Sequence, residues 1–194
     1  APTWDWRLTE KEELQLIYVF LADGFEETEA LVTVDILRRA QLDVRTAGVG
    51  AKQVTGSHGI TVVADMTEEE IEKETITAVV LPGGMPGTLN LEQSEIVKDC
   101  VRCCAENGRF ICAICAAPSI LAHMGLLDGK NATCFPSFEK ELANANLTGA
   151  PAVADGNIIT GKGAGATVEF ALLAAEKMAG KEISAEVRAA LQCP

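Results

Sequence analysis

The chain is short of basic charge, aromatic side chains and histidine, and each shortage narrows what it can do. Its 194 residues carry 16 Lys and Arg against 28 Asp and Glu, a formal net charge of −12, and no basic run offsets the excess. Such a surface repels a phosphate backbone, so no nucleic acid partner is expected. No apolar stretch approaches the roughly 20 residues of a membrane span, and the charged start from Trp4 to Glu13 does not read as a signal peptide. No membrane partner is expected, and the expected location is cytoplasmic. Aromatics make up 5% of a sequence that is 48% hydrophobic, so Ala, Val, Leu and Ile must fill the core. A chain of this length supports one core. Residues 1–14 read as an N-terminal arm, and residues 15–194 as a single domain.

Seven Cys, at positions 100, 103, 104, 112, 115, 134 and 193, is an odd number. It argues against a fully paired disulfide framework and for reduced thiols. Cys100/Cys103 and Cys112/Cys115 nominally have the spacing of a zinc site or a redox dithiol. The first pair lies in a helical pattern, where Cys100, Cys103 and Cys104 at i, i+3 and i+4 share one buried face. The second runs along an apolar strand, where three steps cover about 10 Å, too far for a disulfide and awkward for tetrahedral coordination. No metal is expected.

Hydrophobic period alternates between strand and helix. Strands are predicted at Leu14–Leu21, Leu42–Ala47, Ala78–Leu81, Phe110–Ala113 and Ala132–Cys134. Hairpin-like pairs are predicted for Val54–Thr55 with Ile60–Ala64, and for Ala152–Ala154 with Asn157–Thr160 around Asp155-Gly156. Helices are predicted at Glu26–Ala40, Glu68–Lys73, Glu92–Glu106, Ala117–Met124, Phe138–Leu142, Thr167–Met178 and Ser184–Leu191. The alternation implies a parallel sheet covered on both faces, an α/β flavodoxin-like three-layer sandwich. Ligands of such sheets bind at the carboxyl ends of the strands. The loops there are Ala22–Glu29, Gly83–Gly87, Ile114–Ala117 and Gly161–Gly165.

Cys115 stands out because strand pattern passes to helix start around it with almost nothing between. A thiol on such a turn meets the backbone N–H groups that follow it, and the positive end of the next helix favours a thiolate. The bland alternative is inert packing, the usual fate of Cys in an apolar run. Glu26, Glu27 and Glu29 fall in the first turn of the first helix, where acids complement the helix dipole from solvent.

Four ordered motifs resemble the signatures of the ThiJ/PfpI superfamily, in the branch that contains the parkinsonism-associated protein deglycase. They are Leu21-Ala-Asp-Gly-Phe-Glu-Glu-Thr-Glu-Ala30, Leu81-Pro-Gly-Gly-Met85, Ala113-Ile-Cys-Ala-Ala-Pro118 and Gly161-Lys-Gly-Ala-Gly165. The resemblance covers about residues 15–190. It implies a fold of the class I glutamine amidotransferase type, a homodimer with a contact around Asp35, Arg38 and Arg39, and a reactive, oxidisable Cys without a cofactor. Residue by residue, it makes Cys115 the nucleophile and Glu29 the carboxyl group beside it. Gly84 and Ala116 become the oxyanion-hole amides, in a pocket that also touches Gly83. A carboxyl group next to a thiolate in a low-dielectric pocket is expected to hold its proton.

One departure bears on chemistry. Amidotransferase and protease relatives place a His about twenty residues after the Cys, where this chain has Phe135. The sequence has two His. His123 reads as a core or helix-end residue. His58 lies on the Gly-flanked loop where the branch has a basic residue reaching toward the partner's pocket, and a plain loop residue is the equal alternative. Without a positioned His, peptide and amide hydrolysis lack a general acid. The resemblance instead implies chemistry on a small reactive aldehyde such as methylglyoxal, by glyoxalase-type hydration or deglycation. The alternative is a redox-responsive stress protein or chaperone whose Cys115 is oxidised to the sulfinic acid. A small-ligand flavodoxin-like domain is a third reading, with FMN disfavoured by the acidic loop from Asp23 to Glu27.

Overall fold

The computed structural model describes residues 16–193, so the arm expected at residues 1–14 lies outside the described residues. Strand β1 (Leu16–Leu21) leads into helix α1 (Glu27–Arg39), β2 (Val44–Gly48), the hairpin of β3 (Gln53–Thr55) and β4 (Thr61–Val63), β5 (Met66–Thr67) and β6 (Ile76–Leu81). Helices α2 (Gly87–Gln93) and α3 (Glu95–Glu106) follow, then β7 (Phe110–Ile114) and α4 (Pro118–His123). The remainder holds β8 (Asn131–Ala132), β9 (Asn146–Leu147), β10 (Ala152–Asp155), β11 (Ile158–Gly161), α5 (Thr167–Ala179) and α6 (Lys181–Ala190).

Seven strands form one sheet in the order β10-β11-β7-β6-β1-β2-β5. Every neighbouring pair is parallel except β10 and β11 at one edge. The chain winds outward from β1 through β2 to β5, then returns to β6 and winds the other way. Strand order therefore reverses between β1 and β6, and the crevice beyond their carboxyl ends is where such sheets bind ligands.

Alternation along the strands sends side chains to two cores. Val19, Val80, Cys112 and Ile159 pack with Val34 and Leu37 of α1 and Phe170 and Ala174 of α5. On the opposite face Tyr18, Phe20, Val79 and Ile111 pack with Val97, Cys100 and Val101 of α3 and Ile120 of α4. Burying each Leu, Ile or Phe contributes roughly 1.5–3 kcal/mol relative to exposure. The sheet is thus the middle of three layers, as the alternating pattern requires.

Several local expectations are corrected. The helix predicted over Glu92–Glu106 is two, because Ser94 leaves helical geometry and caps α3, its hydroxyl accepting the Val97 N–H at 3.2 Å. The acidic segment Glu68–Lys73 is not one helix. It contains a 3-10 turn at Glu68–Glu70, and a second turn runs Lys73–Thr75. Phe138–Leu142 belongs to a 3-10 segment spanning Pro136–Leu142. The strand expected at Ala132–Cys134 is Asn131–Ala132, paired in parallel with β9, whose two residues give no periodic signal. Helix α6 begins earlier than expected, at Lys181, directly after Gly180 at φ 101°.

Candidate active site

Cys115 sits between the end of β7 and the start of α4 with φ 65°. A non-glycine residue holds that left-handed conformation only where its surroundings impose it. Here two other loops do so. Cys115 N–H donates to Gly161 O at 2.9 Å, and Phe135 N–H donates to Cys115 O at 2.8 Å. The thiol is half-buried beside the Ala116 and Gly84 amides, which favour its ionised form.

Glu29 approaches from the first turn of α1 and is 1% exposed. Its Oε2 accepts the Gly83 N–H at 2.8 Å, while Oε1, also buried, has no hydrogen-bond partner of good geometry among the described residues. Gly83 is what allows the approach. A methyl group there would lie 2.7 Å from both Cys115 Cβ and Glu29 Oε2. Glu26 locks the arrangement from the helix start: its Oε2 accepts the Glu29 N–H at 2.7 Å and its N–H donates to Gly83 O at 2.8 Å.

Burial raises the Glu29 carboxyl to about 7, against the lowering effects of the Cys115 thiol and the Gly83 N–H. Burial, followed by the neighbouring Glu29 charge, pushes the Cys115 thiol up to about 12, against the Ala116 and Gly84 amides. Between about pH 7 and pH 12 the pair therefore carries one negative charge and one proton, which rests on the more basic thiol. Transfer of that proton to Glu29 would make the carboxyl the donor and leave the two amides facing a thiolate. This corrects the expectation that a helix start would by itself favour ionisation. Helix α4 is only six residues long, and burial holds the thiol in its neutral form.

Glu27 also departs from the sequence reading. It is 5% exposed rather than solvated. Its Oε1 accepts the His58 N–H at 2.8 Å and its Oε2 faces His58 Nδ1 at 2.9 Å. Burial alone would raise this carboxyl, yet the His58 ring and the surrounding N–H groups hold it at about 2. His58 is correspondingly raised by Glu27, although its side chain is 71% exposed. His58 thus anchors the β3–β4 turn to α1. His123, at the end of α4, lies between Glu92 and Glu141, with Nδ1 at 2.5 Å and Nε2 at 2.8 Å from their carboxylates. The described Cys side chains are unpaired, and Cys100 and Cys104 lie on the opposite sheet face from Cys112. Among the described residues, the one group able to share a cation is Glu26, Glu27 and His58, whose ligand atoms lie within 4.8 Å of one another. Their mutual ion pairing accounts for that clustering.

The loops that sequence reasoning grouped around Cys115 do meet there, in an arrangement with known counterparts. A profile of the DJ-1/PfpI family matches residues 15–177. The chain belongs to the DJ-1/PfpI family. This DJ-1/PfpI chain is 40% identical over 172 residues to Protein dj-1beta of Drosophila melanogaster, covering 87% of this chain and 92% of the relative. The crystal structure of Drosophila melanogaster DJ-1beta superposes with a TM-score of 0.89 at 37% identity, over 93% of this chain and 98% of that one. A Caenorhabditis elegans relative named glutathione-independent glyoxalase DJR-1.2 is 30% identical over 160 residues, 81% of this chain and 84% of its own. Sequence reasoning missed Glu26 as the residue that ties Glu29 to the Gly83 turn. Its position three residues before Glu29, at a helix start, is the capping spacing that signals it.

Proposed function

We propose that this chain is a cofactor-independent cysteine enzyme acting on 2-oxoaldehydes such as methylglyoxal, with Cys115 as nucleophile. The observation that carries the reading is the buried Glu29 carboxyl set beside Cys115 at the Gly83 turn, where a single added methyl would lie 2.7 Å from both. The name of the nematode relative supports it. In the proposed reaction the thiolate adds to the aldehyde carbon, and the new alkoxide takes the proton from Glu29 to give a hemithioacetal. The Gly84 and Ala116 amides stabilise the oxyanion as it develops. Glu29, now a carboxylate, removes the proton from that carbon and passes it to the adjacent ketone oxygen, giving an enediol. Return of a proton to the ketone carbon leaves a thioester, in which one carbon is oxidised and its neighbour reduced. Water cleaves the thioester to lactate and restores the thiol, so methylglyoxal and water give lactate with no external oxidant.

Deglycation of amine or thiol adducts passes through the same class of intermediate and belongs to the same proposal. So does a homodimer, with Asp35, Arg38 and Arg39 on the contact side of α1. Within one chain Arg39 pairs with Asp35 and Arg38 with Asp65. Incubation with methylglyoxal in amine-free, thiol-free buffer is expected to yield lactate with wild type and none with Cys115→Ser. Equal yields would overturn the reading.

A second reading, a redox-responsive protein in which Cys115 is oxidised to the sulfinic acid, is favoured by the same carboxyl group and amides, which suit a sulfinate. Intact-mass and peptide mapping after mild peroxide should then place the first two added oxygens on Cys115. Earlier oxidation of Cys134 or Cys193 would dismiss it.

A further inference from the structure

A cavity of about 550 Å³ is lined by Phe135, Pro136, Gly149, Pro151, Lys162 and the run Gly163–Ala166, on the loops that hold the candidate nucleophile, which is itself outside the lining. Its walls continue from the two backbone groups that pin Cys115. Phe135 supplies the N–H that meets Cys115 O, and Lys162 follows Gly161, whose carbonyl accepts the Cys115 N–H. The lining is apolar apart from Lys162, whose ammonium is engaged with Gly149 O at 3.3 Å. Phe135 is 46% exposed. Water-facing aromatic area on the residue whose backbone holds Cys115 is surface that a ligand can cover. Methylglyoxal, with a single methyl group, leaves most of this volume unfilled, whereas ligand pockets typically enclose about 300–1,000 Å³.

We infer that this cavity receives the carbonyl side chain of the substrate and selects 2-oxoaldehydes bearing a large apolar or aromatic group, with Phe135 as the specificity-determining wall. The inference rests on the 2-oxoaldehyde reading of Cys115. Where a His would offer a polar contact, Phe135 offers a ring face. One methylene in an apolar pocket discriminates by about 10–200-fold, so a whole phenyl ring is ample for selection. Phenylglyoxal follows the balance described above, with water added and mandelate released.

The test measures kcat/KM for phenylglyoxal and for methylglyoxal, and compares their ratio between wild type and two variants so that intrinsic aldehyde reactivity cancels. Phe135→Ala removes the wall but keeps the backbone N–H on Cys115. Gly165→Leu fills the cavity from a position where a Cβ meets nothing within 4 Å. Both are expected to lower the phenylglyoxal-to-methylglyoxal ratio by about tenfold or more, with unchanged circular dichroism. In wild type, mandelate should perturb the amide NMR signals of Gly163–Ala166 more than lactate does. Cys115-dependent turnover with an unchanged ratio in both variants overturns the role of the cavity and leaves the 2-oxoaldehyde reading intact. Absence of Cys115-dependent turnover of either aldehyde overturns both.

Discussion

Glu27 and Glu29 stand two residues apart on the first turn of α1, both almost fully buried, and their protons behave in opposite ways. Glu29 is raised to about 7 and Glu27 lowered to about 2. Burial pushes both upward, so burial cannot be what separates them. The difference lies in what surrounds each carboxylate. Glu27 receives an imidazole, the His58 N–H and a longer contact from Ile60 N–H at 3.4 Å. Glu29 receives one amide on Oε2 and faces a thiol. One acid is satisfied as an anion and serves structure. The other keeps its proton available and suits chemistry.

Removing the proton from the second environment should have the largest effect. Glu29→Gln is expected to lower kcat for methylglyoxal by about 10²–10⁴-fold with the fold intact; full activity would exclude the proton relay. Gly83→Ala comes next. Its methyl must displace Cys115 or Glu29, and a shift near 1 Å costs about 10²-fold. A near-normal rate would show that their separation is not critical.

Stability should sort the two acids by sign. Because the folded carboxyl of Glu29 lies above its ordinary 4.5, the native state binds more protons than the unfolded state between about pH 4.5 and pH 7, and stability falls as pH rises through that window. Glu29→Gln should therefore exceed wild type in Tm at pH 8, with the gap closing toward pH 4.5. A constant gap would place the Glu29 pKa in the usual range. For Glu27 the sign reverses: its contribution is present above about 4.5 and lost as pH falls toward 2. The raised His58 contributes fully below 6.5 and less as pH rises through its folded value. The Glu27–His58 contact should be strongest between about pH 4.5 and pH 6.5. The smallest expected change is a titration shift. In Glu27→Gln, the His58 ring followed by NMR should titrate closer to 6.5 than in wild type, and an unmoved midpoint would dissolve the pairing.

The same contrast marks how far the sequence could be read. Cys115 was reachable because it falls in a loop at the carboxyl end of a strand with a strong apolar period; Glu29, Gly83, Gly84 and Ala116 came from the resemblance of their motifs, and the alternation implied a parallel sheet but not its strand order. Glu27 was misread because helix position says which acids are near an N-terminus, not which will be covered by a hairpin thirty residues later in the chain. The Ser94 break was hidden inside a continuous amphipathic pattern, since a capping Ser is also an ordinary helix-surface residue. Strands β8 and β9 are too short for a period to exist. The raised thiol depends first on burial and then on a tertiary contact across 86 residues, from Glu29 to Cys115, neither of which a local pattern encodes.

The central claim is the protonation of Glu29, and a ¹³C NMR titration of side-chain-labelled Glu observes it directly. With Cys115 present, the Glu29 carboxyl should titrate near 7 while Glu27 titrates near 2. Substitution Cys115→Ala should shift the Glu29 midpoint and leave Glu27 in place. A Glu29 midpoint at the ordinary value of about 4.5, unaffected by loss of the thiol, would contradict the account.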